Sequence, residues 1–252
     1  MLKMPKLEPY YRDLPYSYAT GLFPATACLK ACPERCQRLL LSTKLRMTDD
    51  VEALIKACEA AGIRIETADH VLERISRKEN CYAAMVYEKA EGTFDTSLPQ
   101  IILHNPSDTG NMGTILRTAL GMDFVNIAII RPAVDSDDPR TVRASMGALF
   151  SLNIRHFDTF NRYLDEYDQL PLYPFMLDGS VSLAEGCSRV GTEPFALVFG
   201  NEATGLPASF SHMGTPVRIP HNDQIDSLNL AVAAGIGMYA FSQAYRNHLV
   251  QA

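Results

Sequence analysis

From about residue 99 onward the chain repeats one rhythm: a short apolar run, a turn, then a segment with helical periodicity. The apolar runs are Gln100–His104, Val125–Ile130, Asn153–Phe157, Leu172–Leu177, Phe195–Phe199 and Val217–Ile219, and each reads as a strand. Their near-continuous apolarity, without alternation, demands cover on both faces. That is the condition of a parallel sheet flanked by helices. The expected fold class is therefore α/β with a parallel-sheet domain over residues 99–252. Its last helix is expected from about Leu228 to His248, with Asp226 or Ser227 as N-cap. In such sheets, ligands sit where loops leave the carboxyl ends of the strands.

The first part of the chain reads differently. Residues 1–15 are rich in Pro, Tyr and charge and are expected to form an arm. A small α/β domain is expected over 16–90. It has strands at Gln37–Ser42, Ile63–Glu66 and Ala83–Tyr87, a helix capped by Asp49 or Asp50 and stopped by Gly62, and a second helix opening at Asp69. Residues 91–98 have the composition of a linker. No run of about 18 apolar residues occurs and Met1–Arg12 is polar, so neither a membrane span nor a secretory leader is expected, and the cytoplasm is the expected compartment.

Charge is unevenly placed. The net charge is −6, yet residues 1–98 carry 14 cations and 14 anions while 99–252 carry 9 and 15. Lys30, Arg35, Arg38, Lys44 and Arg46 lie close together with Glu34 as the one intervening anion. If the protein grips phosphates, this first part is the expected place. Cys28, Cys32 and Cys36 follow a C-x3-C-x3-C spacing that Pro33 interrupts. It lacks the pairing of a zinc site, so the six cysteines are read as reduced, packed thiols and no metal is expected.

Three polar clusters follow strands. The first runs from Asn105 to Ala119 and holds Asn111, Gly113 and Arg117. Asn111 and Arg117 are six residues apart and meet only if the loop before Gly113 folds back. The second is Gly200-Asn201-Glu202-Ala203-Thr204-Gly205. It resembles a phosphate loop, but Leu206 stands where that loop needs lysine, which argues against a nucleoside triphosphate. The third is Ile219-Pro220-His221 followed by Ser227-Leu228-Asn229. The absence of G-x-G-x-x-G after an early strand speaks against a dinucleotide oxidoreductase.

In this order the three clusters resemble the signature motifs of the SpoU-type RNA methyltransferases of the SPOUT superfamily. The segment Val142-Arg143-Ala144-Ser145-Met146-Gly147-Ala148 is similar to a further family segment. His221 stands where the family has methionine, and the glycine usual nearby is missing from Asn222-Asp223-Gln224. The resemblance covers 99–252 well and 16–90 weakly, as a ribosomal-protein-like RNA-binding domain. It implies a C-terminal deep trefoil knot, a homodimer and S-adenosylmethionine held by Gly200, Gly205, Ile219 and Leu228. It also implies methyl transfer to a ribose 2′-hydroxyl of tRNA or rRNA. Arg117 is then the decisive residue. A guanidinium does not deprotonate in proteins, so it is read as stabilising a developing alkoxide. Asn111 and Asn229 would orient the ribose, Glu202 would hold Arg117 or Asn111, and Ser227 would cap the last helix and touch substrate. Arg140 and Arg143 would extend the RNA path begun by the Lys30–Arg46 cations. A non-catalytic relative that binds RNA and cofactor, or an enzyme methylating a base, are the competing readings.

Overall fold

The computed structural model describes residues 7–76 and 81–251 and divides into two compact units. One comprises the chain up to Ala90 together with Asp135–Phe150, the other Glu91–Val134 and the chain from Ser151.

The first unit opens with β1 (Tyr16–Thr20) and α1 (Leu22–Ala31), followed by β2 (Cys36–Leu41), α2 (Asp49–Ala60), β3 (Arg64–Thr67), α3 (Asp69–Ser76) and β4 (Ala83–Glu88). The strand order is β1-β4-β2-β3; β4 runs antiparallel to β1 and β2, and β2 runs parallel to β3. β1 and α1 have no counterpart in the sequence reading. All five residues of β1 are buried, so no period-two alternation marks the strand, and Pro24 sits inside the first turn of α1. The cap of α2 is Thr48, one residue before the expected aspartates, with its hydroxyl accepting from the Val51 N–H at 3.4 Å. Asp49 and Asp50 fall in the first turn, where the helix dipole favours them. Of the expected arm, residues 1–6 lie outside the described residues. The remainder is not loose: Leu7 and Leu14 are buried in the same core cluster as Tyr18, Leu40 and Val86.

Cys28 lies in α1, Cys32 caps its end and Cys36 opens β2, with the Cys28 Sγ 3.9 Å from Cys32 Sγ and 3.5 Å from Cys36 Sγ. All six thiols are free.

In the second unit, residues 91–98 form no linker. The Gly92 N–H donates to the Ile154 carbonyl at 2.8 Å, and Phe94 is buried in the core. β5 (Gln100–His104), α4 (Thr109–Gly121) and β6 (Asn126–Ile130) follow. The chain then returns to the first unit for Asp135–Phe150, which contains α5 (Pro139–Ala144), and re-enters the second at β7 (Asn153–Phe157). α6 (Phe160–Tyr167), β8 (Leu172–Pro174), β9 (Val181–Ser182), α7 (Leu183–Ser188), β10 (Ala196–Phe199), β11 (Val217–Arg218) and α8 (Leu230–Gln251) complete it. The sheet order is β7-β6-β5-β10-β8 and every pairing is parallel. Ile101, Ile102, Ile127, Ile129, Leu197 and Val198 are wholly buried at its centre. Each such side chain contributes roughly 1.5–3 kcal/mol on burial.

The expected strand Leu172–Leu177 divides. Leu172–Pro174 pairs with β10, while Phe175 bridges to Val217 and the Met176 N–H donates to the Val217 carbonyl at 2.9 Å. The chain thus leaves the five-stranded sheet to meet β11, which pairs with β9. Among the described residues, no helix is long and apolar enough to cross a membrane.

Candidate active site

Two loops leave neighbouring strands, β5 and β10, at their carboxyl ends. The loop after β10 closes on itself. Asn201 and Gly205 exchange backbone hydrogen bonds at 3.1 and 2.9 Å, and the Asn201 side-chain oxygen accepts from the N–H groups of Ala203 and Thr204. Glycine is required at both ends. Gly205 has φ +65°, and a Cβ on Gly200 would lie 2.3 Å from the Gly205 carbonyl carbon. The Asn201 amide also donates to the Asn105 carbonyl at 2.8 Å, tying the two loops together.

Glu202 is the hub. Its Oε2 accepts from the Ser107 N–H at 2.9 Å and the Ser107 hydroxyl at 2.6 Å, and its Oε1 accepts from the Asp108 N–H at 3.1 Å and the Asn111 amide at 3.3 Å. Burial alone would raise its pKa. The donors, Ser107 foremost, outweigh that and hold it below the usual glutamate value. A carboxylate has about four acceptor positions, and these partners fill them. Glu202 is therefore an anchor, with no lone pair left to act as a base.

Asn111 passes the constraint on. Asp108 caps α4 by accepting from the Asn111 N–H at 2.7 Å, and the Asn111 side-chain oxygen accepts from the Asn229 amide at 3.1 Å. Asn229 in turn accepts from the N–H groups of Ala231 at 2.9 Å and Val232 at 3.3 Å, which makes it the N-cap of α8. The expected caps Asp226 and Ser227 stand further upstream. Three of the five expected catalytic residues thus form one chain of hydrogen bonds, Glu202–Asn111–Asn229.

Arg117 does not join it. α4 is continuous from Thr109, so there is no folded-back loop, and residues six apart project about 120° from each other. Arg117 is exposed and makes no hydrogen bond or ion pair among the described residues. Glu202 holds Asn111, not Arg117.

A cavity of about 420 Å³ adjoins the cluster. Gly200, Gly205, Ile219 and Leu228 all line it, as do Ser227, His221, Asp178 and Glu202. Its apolar side includes the stacked rings of Phe175 and Phe199, 4.5 Å apart, with Leu206 and Leu230. The His221 Nδ1 lies 2.9 Å from the Ile219 carbonyl. Size, apolar walls and a few polar groups at the rim suit a small organic ligand carrying a flat ring system. Asn105, Ser107, Asp108, Asn201 and Asp178 went unassigned in the sequence reading; the first four lie inside the recognised clusters, whereas no local pattern marks Asp178.

The cations expected to face RNA lie in the first unit, and they differ in availability. Lys30, Lys44, Arg46 and Arg143 are exposed. The Arg35 Nε donates to the Glu88 carbonyl at 2.8 Å and its guanidinium lies over Tyr87. Arg140 is exposed but forks onto Asp138 at 3.0 and 2.7 Å. Arg38 is removed from the set: its side chain is 9% exposed and pairs with Glu66 at 3.7 Å, because it stands on an inward position of β2.

A parallel α/β domain with a ring-sized cavity and an amide–carboxylate chain at its strand ends defines a ligand-binding enzyme fold, and known proteins narrow the class. The model of the SpoU rRNA Methylase family matches residues 99–239. The 23S rRNA (adenosine(1067)-2′-O)-methyltransferase of Streptomyces laurentii is 30% identical over 196 residues, 74% of this chain and 72% of that protein. An uncharacterized tRNA/rRNA methyltransferase of Synechocystis is 30% identical over 142 residues, 55% of this chain; the match spans about half of that relative, 51% of its length. The AdoMet-bound rRNA methyltransferase of Sinorhizobium meliloti superposes with a TM-score of 0.75 at 26% identity, covering 92% of this chain and 88% of that one. The chain belongs to the SpoU rRNA Methylase family.

Proposed function

We propose that this protein transfers a methyl group from S-adenosylmethionine to a ribose 2′-hydroxyl of tRNA or rRNA. The observation that carries the reading is the Glu202–Asn111–Asn229 chain beside the glycine-walled cavity. The Streptomyces and Sinorhizobium relatives, a 2′-O-methyltransferase and an AdoMet-bound enzyme, support it. The cofactor would be held by Gly200, Gly205, Ile219 and Leu228, with its rings against Phe175 and Leu206; when bound it supplies an electrophilic methyl on a sulfonium.

The chain's own residues do the rest. Asn111 and Asn229, fixed by Glu202, orient the ribose. Arg117 stabilises the oxygen as it gains negative charge, and the proton leaves to solvent. Arg117 acts from a second copy of the chain. Within one chain it stands apart from the Glu202 cluster, whereas a Cβ on Gly235 of α8 would lie 3.8 Å from the methyl of Thr118, so the stretch of α4 that holds Arg117 borders a helix that exposes Val232, Ile236 and Tyr239. Those three, spaced i, i+4 and i+7, form a dimer face. The segment that leaves β8 to meet β11 belongs to the trefoil knot of the family. The first unit captures RNA through Lys30, Lys44, Arg46 and Arg143, and the enzyme works in the cytoplasm.

Incubation of the protein with labelled S-adenosylmethionine and total RNA, followed by nucleoside analysis, tests the reading. The expected product is a 2′-O-methyl nucleoside, and the phosphodiester on its 3′ side in the intact RNA resists alkaline cleavage. Arg117→Ala should slow transfer by about 10²–10³, with calorimetric cofactor affinity unchanged. A base-methylated product, or full activity in Arg117→Ala, would overturn it.

A further inference from the structure

Three large apolar side chains of the first unit are exposed close to one end of its sheet: Phe23 at 67%, Met146 at 41% and Tyr82 at 38%. β1 and β2 both run antiparallel to β4, so their carboxyl ends meet the start of β4. Two backbone hydrogen bonds fix this edge: the Gly21 N–H donates to the Ala83 carbonyl and the Ser42 N–H to the Tyr82 carbonyl, each at 2.8 Å. Residues 21–23 and 42–46 therefore flank Tyr82. The 135–150 segment arrives at the same place. A Cβ on Gly147 would lie 2.5 Å from the Ala27 Cβ and 3.2 Å from the Pro24 Cα, which sets Met146 beside the first turns of α1. Burial pushes the Cys81 thiol, next to Tyr82, above its ordinary pKa, and the guanidinium of Arg143 is near enough to offset a small part of that.

Exposed cations stand on the flanking segments: Lys44 and Arg46 after β2, and Arg143 in the last turn of α5. A groove of about 470 Å³ between α1 and α2 is lined by Phe23, Leu29 and Lys30. Asp50 also lines it, while the nearby Asp69 carboxylate is taken up by Ser42 and Thr43. An aromatic face in water beside ammonium and guanidinium groups matches a nucleobase with its flanking phosphates. Paired A-form RNA keeps its base faces stacked within the helix, so only unpaired nucleotides offer one.

We propose that this edge is a platform for unpaired nucleotides of the RNA substrate, with a base stacked on Phe23 and the adjoining phosphates at Lys44 and Arg143. The proposal rests on the RNA reading given above and adds which part of the RNA is gripped, and by what.

Fluorescence anisotropy with the full chain tests it, using a stem–loop RNA with an unpaired loop and a fully paired duplex of equal length. The wild type should bind the stem–loop more tightly. Phe23→Ala and Phe23→Leu should each weaken stem–loop binding by about tenfold and leave duplex binding unchanged. Phe23→Tyr, which keeps the ring, should restore it. Arg143→Gln should weaken both probes and lower the salt dependence by about one unit of slope. Stem–loop binding unaltered by Phe23→Leu overturns the platform while the RNA reading stands, and assigns the exposed ring to a protein contact. A wild type that binds neither probe overturns the RNA reading itself.

Discussion

At the scale of single residues, Glu202 decides how well the site is formed. Its carboxylate draws together donors from residues 107, 108 and 111, up to 95 positions away in sequence. The sequence marks Glu202 through its place between two glycines. It cannot show that the Ser107 and Asp108 N–H groups converge there, because that depends on β5 and β10 being neighbours. Glu202→Gln is not a mild change. One side-chain oxygen becomes an NH2 group, which must face either the Ser107 or the Asp108 N–H, donor against donor. Both Glu202→Gln and Glu202→Ala should therefore lose about 10–100-fold in kcat/KM, the usual weight of hydrogen bonds to a charged group. A near-wild-type Glu202→Gln would show that charge and acceptor count do not matter here. The carboxyl's pKa lies below its ordinary value, so the folded loop favours the ionised form. Its contribution is complete above the ordinary range and is lost as pH falls through the folded value. Calorimetric cofactor affinity should hold from about pH 7 down to about pH 5 and then decline.

At the scale of elements, the sequence located the parallel strands because buried strands are continuous apolar runs, and β5 and β7 have the expected ends. It missed β9, two residues long, and β1, whose buried face and outer face are both covered. The start of α8 was ambiguous for a physical reason: Asp226, Ser227 and Asn229 are all good caps, and the choice depends on where the preceding loop ends. Asn229 has two separable duties, capping α8 through its oxygen and fixing Asn111 through its amide. Asn229→Ala should lose both, with a cost of about 1 kcal/mol, or about 2–4 °C in Tm for a chain of this size, together with activity. Asn229→Asp keeps the cap oxygen and suits the helix dipole. Its carboxylate, however, faces the Asn111 oxygen instead of donating to it. It should melt like the wild type and still lose about tenfold in kcat. Equal melting losses in both variants, or full activity in Asn229→Asp, would contradict the division of duties.

At the scale of the whole molecule, local pattern ran out. Residues 135–150 read as part of the second half, and nothing in their periodicity says which core they enter. Val142 and Phe150 pack in the first unit, Phe150 edge-on to Tyr87 at 4.8 Å, and Ser17 and Tyr87 both hydrogen-bond Asp137. Membership is decided by partners far away in sequence. On the proposed reading Arg117 poses the same problem between two copies of the chain, since its side chain leaves the Glu202 cluster on its own helix. If a second copy brings it to the cavity, two defective chains should repair each other. Arg117→Ala retains a sound cavity. Gly200→Ala spoils the cavity, because its Cβ would collide with Gly205, but retains the arginine. Each variant alone should be inactive. Co-expressed with different tags and purified as a mixed dimer, they hold one site with an intact cavity and a partner's intact arginine. The purified mixed dimer, with one complete site of its two, should then recover up to about one half of wild-type activity. An arginine acting within its own chain leaves the mixed dimer with no complete site, and its activity would stay at the level of the two parents.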